Sequence, residues 1–149
     1  MKVFVAPQII ENNNEKSIFL AGTIDNGSSV NWQETAIKFL SDSKYNIYNP
    51  RRADWDESWQ SKIEDQKFYE QVNWELDAME KADLIVMNFL PESLSPVTLL
   101  EFGLFAKSSK LMVCCPDEFW RSGNIYMVCN KYDIPFFKTM DELLLYIRL

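Results

Sequence analysis

The 149-residue chain contains no histidine. That removes a Ser-His-Asp triad, a Cys-His pair and a histidine general base together. Its three cysteines, Cys114, Cys115 and Cys129, do not have zinc-site spacing. Cys114 and Cys115 fall in LMVCC, which reads as a buried strand, so inert thiols are expected there rather than ligands. No metal and no organic cofactor are expected, and any catalysis rests on carboxylates, amides or hydroxyls. No apolar stretch approaches the roughly 18 residues that span a bilayer. The opening MKVFVAPQIIENNNEK has neither a signal-peptide h-region nor a cleavage site. The expectation is a cytoplasmic protein with no membrane partner. Positive charge is scarce: 15 Lys and Arg stand against 22 Asp and Glu, a formal charge of −7. An acidic surface argues against a nucleic acid polymer or an anionic membrane. It leaves open a small ligand held in a pocket.

What is present suits one domain spanning residues 1–149, with 47% hydrophobic residues to build its core. Apolar, β-rich runs alternate with helical patterns. VFVAP reads as a short strand whose proline suggests an edge. SIFLAG is a buried strand ending in a glycine turn. In SSVNWQETAIKFLSD, Val30, Ile37 and Leu40 stand near helical spacing, with Ser28 or Ser29 as the cap. NIYNP is a strand stopped by Pro50. A long helix is expected from about Trp59 to Lys81, then the strand DLIVMNFL. Ser95 caps the next helix with Pro96 at its first position. KLMVCCP is a further strand. A short helix from Asn124 to Lys131, the strand IPFF and the helix MDELLLYIRL complete the chain.

Continuously apolar strands separated by helices imply a parallel sheet covered on both faces. The fold class is α/β: a flavodoxin-like three-layer sandwich with a five-stranded, mainly parallel sheet. Ligands of such sheets bind beyond the carboxyl ends of the strands. This places Gly22, Thr23, Asn49, Arg51 and Ser95 among the candidate substrate-binding residues. Trp32, Trp55, Trp59, Phe119 and Trp120 lie in or beside the same loops, where a base stacks or ordinary packing holds them. Asn31 and Gln33 are candidate partners for a base edge.

Two carboxylates stand out. In SPVTLLEFGLFA, Glu101 is the only charged residue, in a segment otherwise made for burial. An isolated buried carboxylate is costly unless paired or hydrogen-bonded. Glu101 lies in the second turn of its helix, where the positive end of the helix dipole favours the ionised form. On the preceding helix, Phe68, Val72, Leu76 and Met79 form a stripe about 80° wide at 100° per residue, and Glu75 falls about 20° outside it, on the core side. Asp77 and Glu80 point away, and Asp83 reads as a helix terminator. The ordinary alternatives are a salt-bridged Glu101 and a boundary Glu75 with a wet head. Two inward carboxylates without histidine suit glycosyl chemistry, one as nucleophile at an anomeric carbon and one as acid toward the leaving group.

FLAGTI, NPRR followed by Trp55, QVNWE, ADLIVMNFLPESLSPVTLLEFGLFA and CCPDEFWRSGN together resemble the nucleoside 2-deoxyribosyltransferase-like family. The resemblance covers about residues 17–135. It implies a flavodoxin-like fold and transfer of 2-deoxyribose between nucleobases through a covalent glycosyl-enzyme ester. It assigns the nucleophile to Glu101, and to Glu75 the acid on the preceding helix. It also implies that Asn124 reaches into a neighbouring subunit's site, hence a homo-oligomer, dimer or higher, with shared sites. Its partners are nucleosides or nucleotides and free nucleobases. The chain departs from the family pattern at Phe19, where a tyrosine is usual, at Ser95, where an aspartate is, and at Glu75, usually an aspartate. A serine at a helix start, or Arg51 and Arg52, would suit phosphate. Two alternatives therefore stand beside the transferase: an N-glycosidase of (deoxy)nucleoside 5′-monophosphates, and a non-catalytic nucleotide-binding module.

Overall fold

The computed structural model describes residues 1–11 and 14–148. Its centre is a sheet of six strands, all parallel, in the order β1-β3-β2-β4-β5-β6. The strands are β1 (Val3–Val5), β2 (Ser17–Gly22), β3 (Asn46–Asn49), β4 (Leu84–Asn88), β5 (Leu111–Cys114) and β6 (Phe136–Phe137). The helices are α1 (Trp32–Phe39), α2 (Gln66–Lys81), α3 (Pro96–Phe105), α4 (Ser122–Lys131) and α5 (Met140–Arg148). From β2 onward the order is the flavodoxin-like one expected. The sixth strand is β1, which adds to β3 at the edge, just before Pro7. Leu149, the end of the expected last helix, lies outside the described residues.

Period-two alternation sorts the strand side chains between two cores. Phe19, Ala21, Ile85, Met87 and Val113 meet residues of α2, α3 and α4 on one face. Ile18, Leu20, Ile47, Val86 and Cys114 meet α1 and α5 on the other. Phe19, Phe89 and Phe119 are fully buried, each worth roughly 1.5–3 kcal/mol of transfer free energy. Glu75 and Glu101 therefore ride on helices of the same layer.

Three helix starts differ from the sequence expectation, two of them for a capping reason. The α1 cap is Asn31, whose side chain accepts from the Glu34 amide. Ser28 and Ser29 instead donate to the carbonyls of Asp25 and Ile24 in a preceding 3-10 turn. Helix α2 begins at Gln66, not near Trp59, because the Asp65 carboxylate accepts from the Lys67 and Phe68 amides. Trp55 and Trp59 lie in the irregular segment before it, with ring centroids 5.0 Å apart. Helix α4 starts at Ser122, two residues early. Asp83 does more than end a helix: its Oδ2 accepts from the amide and hydroxyl of Ser17, joining the starts of β4 and β2.

At the other end of these strands the chain approaches itself closely. Gly22 pairs with Asn88 and has φ 138°. A Cβ there would lie 2.3 Å from the Asn88 carbonyl oxygen. Only glycine fits, and it lets β2 and β4 end together beneath the loops that carry the candidate site.

Candidate active site

Helix α2 turns Gln71, Glu75, Ala78 and Met79 toward the sheet and leaves Leu76 36% exposed. Its buried face is thus rotated from the stripe read in the sequence. Glu75 lies within that face rather than beside it. Helix α3 buries Thr98, Phe102 and Phe105 and leaves Glu101 partly buried at their edge. Trp74 precedes Glu75 and tilts against Phe19, with centroids 6.3 Å apart. Phe102 follows Glu101 and meets Phe89 edge-on at 6.1 Å. The carboxylates thus sit in an aromatic, poorly solvated layer.

That layer governs their protonation. Burial pushes the Glu75 carboxyl up to about 7, partly offset by a hydrogen bond from Gln71. Burial, and then the negative charge of Glu75, push Glu101 up to about 8. The charge of Glu75 is felt at Glu101, which puts the two carboxylates within electrostatic reach of each other. The dipole of α3, expected to keep Glu101 ionised, is outweighed by these two effects. Neither carboxylate has an ion-pair partner among the described residues. Near neutral pH the pair therefore retains a proton while also carrying negative charge. One acid and one carboxylate are what a retaining glycosyl transfer needs from two groups. All three cysteine thiols are buried and pushed up to about 11 or 12, chiefly by burial. They contribute no nucleophile at neutral pH.

The loops place the other candidates at the carboxyl ends of the strands, but most are occupied by the fold. Thr23 is buried; its hydroxyl lies 2.6 Å from that of Ser95 and accepts from the Leu90 amide. Ser95 starts α3 with φ 47° and makes no capping bond of its own. Its hydroxyl donates to Ser93, which in turn donates to the Asp25 carboxylate at 2.7 Å. Asn49 accepts from the Arg51 amide in a tight turn. The Arg51 guanidinium donates to the carbonyls of Gly27, Ser29 and Val30, and to Ser29 Oγ and Gln33 Oε1. It is the latch of the loop after β2. Asn31 is spent on its cap and Gln33 on Arg51, both on the α1 side of the sheet. Asn124 is exposed on the first turn of α4.

Some participants were not legible beforehand. Arg52, named above as suited to phosphate, is instead 6% exposed, paired with Asp54 and laid over the Trp59 ring at 4.9 Å. Gln71, inside the quoted QVNWE, is 1% exposed and bonded to Glu75. Helical spacing by four was the available signal, since it puts residues 71 and 75 on one face. Asp25 and Ser93 enter only through the contact between two loops. A hollow of about 690 Å³ opens among Lys16, Asp42, Lys44 and Arg148. It lies at the amino ends of the strands, away from the carboxylate pair, and brings no comparable chemistry.

A crystal structure of a conserved protein from Enterococcus faecalis V583 superposes with a TM-score of 0.61 at 13% identity, covering 91% of this chain and 99% of that one. At that identity the likeness concerns the fold. No curated protein matches the chain. The family described as nucleoside 2-deoxyribosyltransferase like matches residues 15–119. That span runs from the start of β2 through Phe119 and includes both carboxylates and the loops around them. The chain belongs to the nucleoside 2-deoxyribosyltransferase-like family.

Proposed function

We propose that the protein is a nucleoside 2-deoxyribosyltransferase that moves 2-deoxyribose between nucleobases. The observation that carries this reading is the electrostatically coupled, poorly solvated carboxylates Glu75 and Glu101, which have no ion-pair partner among the described residues. Glu101 holds its proton more tightly than Glu75, so the reactive form is the less populated one with the proton moved to Glu75. From it, in the first half-reaction, the Glu101 carboxylate forms a bond to C1′ as the N-glycosidic bond breaks. The electron pair of that bond goes to the base nitrogen, which takes the proton of Glu75 directly or through one water. The product is a glycosyl ester on Glu101, formed through an oxocarbenium-like transition state. In the second half a new base attacks C1′ on the face the first base left. Glu101 departs as the carboxylate and Glu75 recovers a proton. Two inversions give net retention. Apolar neighbours limit entry of water, which favours transfer over hydrolysis.

A second observation favours a nucleoside over its 5′-monophosphate. Two of the groups that would suit a phosphate are internally occupied, Ser95 by Thr23 and Ser93 and Arg51 by loop carbonyls, and Arg52 is already neutralised by Asp54. The Asp25 carboxylate already stands at Ser93, beside the start of α3. A phosphate brought there meets a like charge. An exposed apolar stripe on α3, Val97, Leu100 and Leu104, is joined by Met127 on α4, one turn after Asn124. A homo-oligomer that covers this face, with Asn124 reaching the partner's site, fits that surface. A cytoplasmic setting accords with three free, buried cysteines.

The test incubates the protein with each 2′-deoxynucleoside and with its 5′-monophosphate, with and without a second base, beside Glu101→Ala. A new deoxynucleoside formed only by wild type with acceptor is the expected result. Base released mainly from the monophosphate, equally without acceptor, would make the protein an N-glycosidase instead. Tight nucleotide binding without turnover, unchanged in Glu101→Ala, would make it a binding module.

A further inference from the structure

Gln71 is buried against Glu75, and its amide is fully committed on one arm. Nε2 donates to the Pro50 carbonyl at 2.9 Å and to Glu75 Oε1 at 2.7 Å. A primary amide has two N–H groups, so both are used. The other arm, Oε1, is buried with no hydrogen-bond partner among the described residues. Turning the amide over does not repair this. It would set Oε1 against the Pro50 carbonyl and the Glu75 carboxylate, two acceptors, and strand Nε2 instead. The orientation is therefore fixed by its neighbours, and a buried unpaired carbonyl is its cost.

The anchors at the two ends differ in kind. Pro50 is the stop of β3, rigid and part of the sheet's carboxyl edge. Glu75 is one turn along α2 from Gln71, on the face turned to the sheet. The amide is thus a strut between the end of a strand and one functional carboxyl. Without it, Glu75 keeps neither a fixed oxygen nor a donor, because the described residues offer it no cation.

We infer that Gln71 is the positioning residue of Glu75: by bridging the Pro50 carbonyl and Glu75 Oε1 through Nε2, it fixes which Glu75 oxygen is held toward the sheet edge. The part that concerns turnover rests on the transferase reading above; the part that concerns the carboxyl does not. A hydrogen bond donated to a carboxylate favours its ionised form, so removing the amide raises the Glu75 midpoint. Among the described residues the titratable group coupled to Glu75 is Glu101, from α3, and no cation pairs with either.

The experiment is a ¹³C NMR titration of protein carrying side-chain-labelled glutamate, with the two signals assigned by Glu75→Gln and Glu101→Gln. Gln71→Met keeps the length and helix propensity of the side chain and removes both amide arms. The expected result is a rise of the Glu75 midpoint by about one pH unit. Gln71→Glu places a third carboxyl there and raises it further, and serves if the methionine variant folds poorly. In turnover, the alkaline limb of kcat/KM moves up with the NMR midpoint, and kcat falls more than KM rises. An unmoved Glu75 midpoint in both variants overturns the inference, whatever the activity. If wild type turns over no substrate while the midpoint still moves, the transferase reading fails and the role of Gln71 stands.

Discussion

Replacing Glu101 with glutamine should abolish glycosyl transfer and make the protein more stable at alkaline pH. Burial and the charge of Glu75 raise the Glu101 carboxyl from 4.5 to about 8, roughly 3.5 units. At about 1.4 kcal/mol per unit, ionising it in place costs at most about 5 kcal/mol. Glu101 keeps some contact with solvent and shares its repulsion with Glu75, so about 2–3 kcal/mol is the expected recoverable part. The sign follows from proton binding. Between pH 4.5 and 8 the folded protein holds a proton that the unfolded chain has lost, so stability is greatest below 4.5 and falls as pH rises to about 8. Urea unfolding followed by tryptophan fluorescence, at intervals from pH 5 to 9, measures this directly. Wild type and Glu101→Gln should nearly coincide at pH 5. At pH 9 the variant should be more stable, with an unchanged slope against urea. Parallel pH dependences, or a variant less stable at pH 9, would refute the account of two carboxylates held under electrostatic tension. A residue that costs stability where it stands and is required for turnover is kept for chemistry rather than folding.

Gly22→Ala forces a Cβ to within 2.3 Å of the Asn88 carbonyl oxygen at φ 138°. It should cost about 3 kcal/mol or more and lower Tm by about 6–12 °C in calorimetry; a loss under about 1 kcal/mol would show that the strand ends are not locked together. Leu100→Glu with Leu104→Glu charges the exposed stripe of α3 without entering the core. Light scattering should then give a monomer of unchanged circular dichroism and low activity. An oligomer that survives the double change, or a fully active wild-type monomer, would remove that face and Asn124 from the shared-site picture.

The expected strands lie close to the observed ones, and SIFLAG is β2 residue for residue. Their legibility has a physical cause: strands buried on both faces must be apolar at nearly every position. Helix starts were less legible because several residues compete for each cap. Asn31 prevails over Ser28 and Ser29, and Asp65 begins α2 after a loop whose tryptophans resemble helical spacing. Phase within a helix was harder still. The stripe read on α2 included Leu76, which is exposed, whereas Gln71 is buried, since a hydropathy wheel assigns a buried amide to the wrong side.

For the site, composition and spacing determined the chemistry available: no histidine, and two glutamates in otherwise apolar helices. A carboxylate among apolar residues is visible one residue at a time, because its cost is local. That Glu75 and Glu101 come within electrostatic reach, which of them Gln71 holds, and that Arg51 and Ser95 spend their hydrogen bonds on neighbouring loops were decided only by the tertiary structure. Those facts depend on α2, α3 and three loops converging at the carboxyl edge of one parallel sheet, from positions up to 72 residues apart. Charge coupling and hydrogen-bond satisfaction are properties of that convergence, not of any one segment.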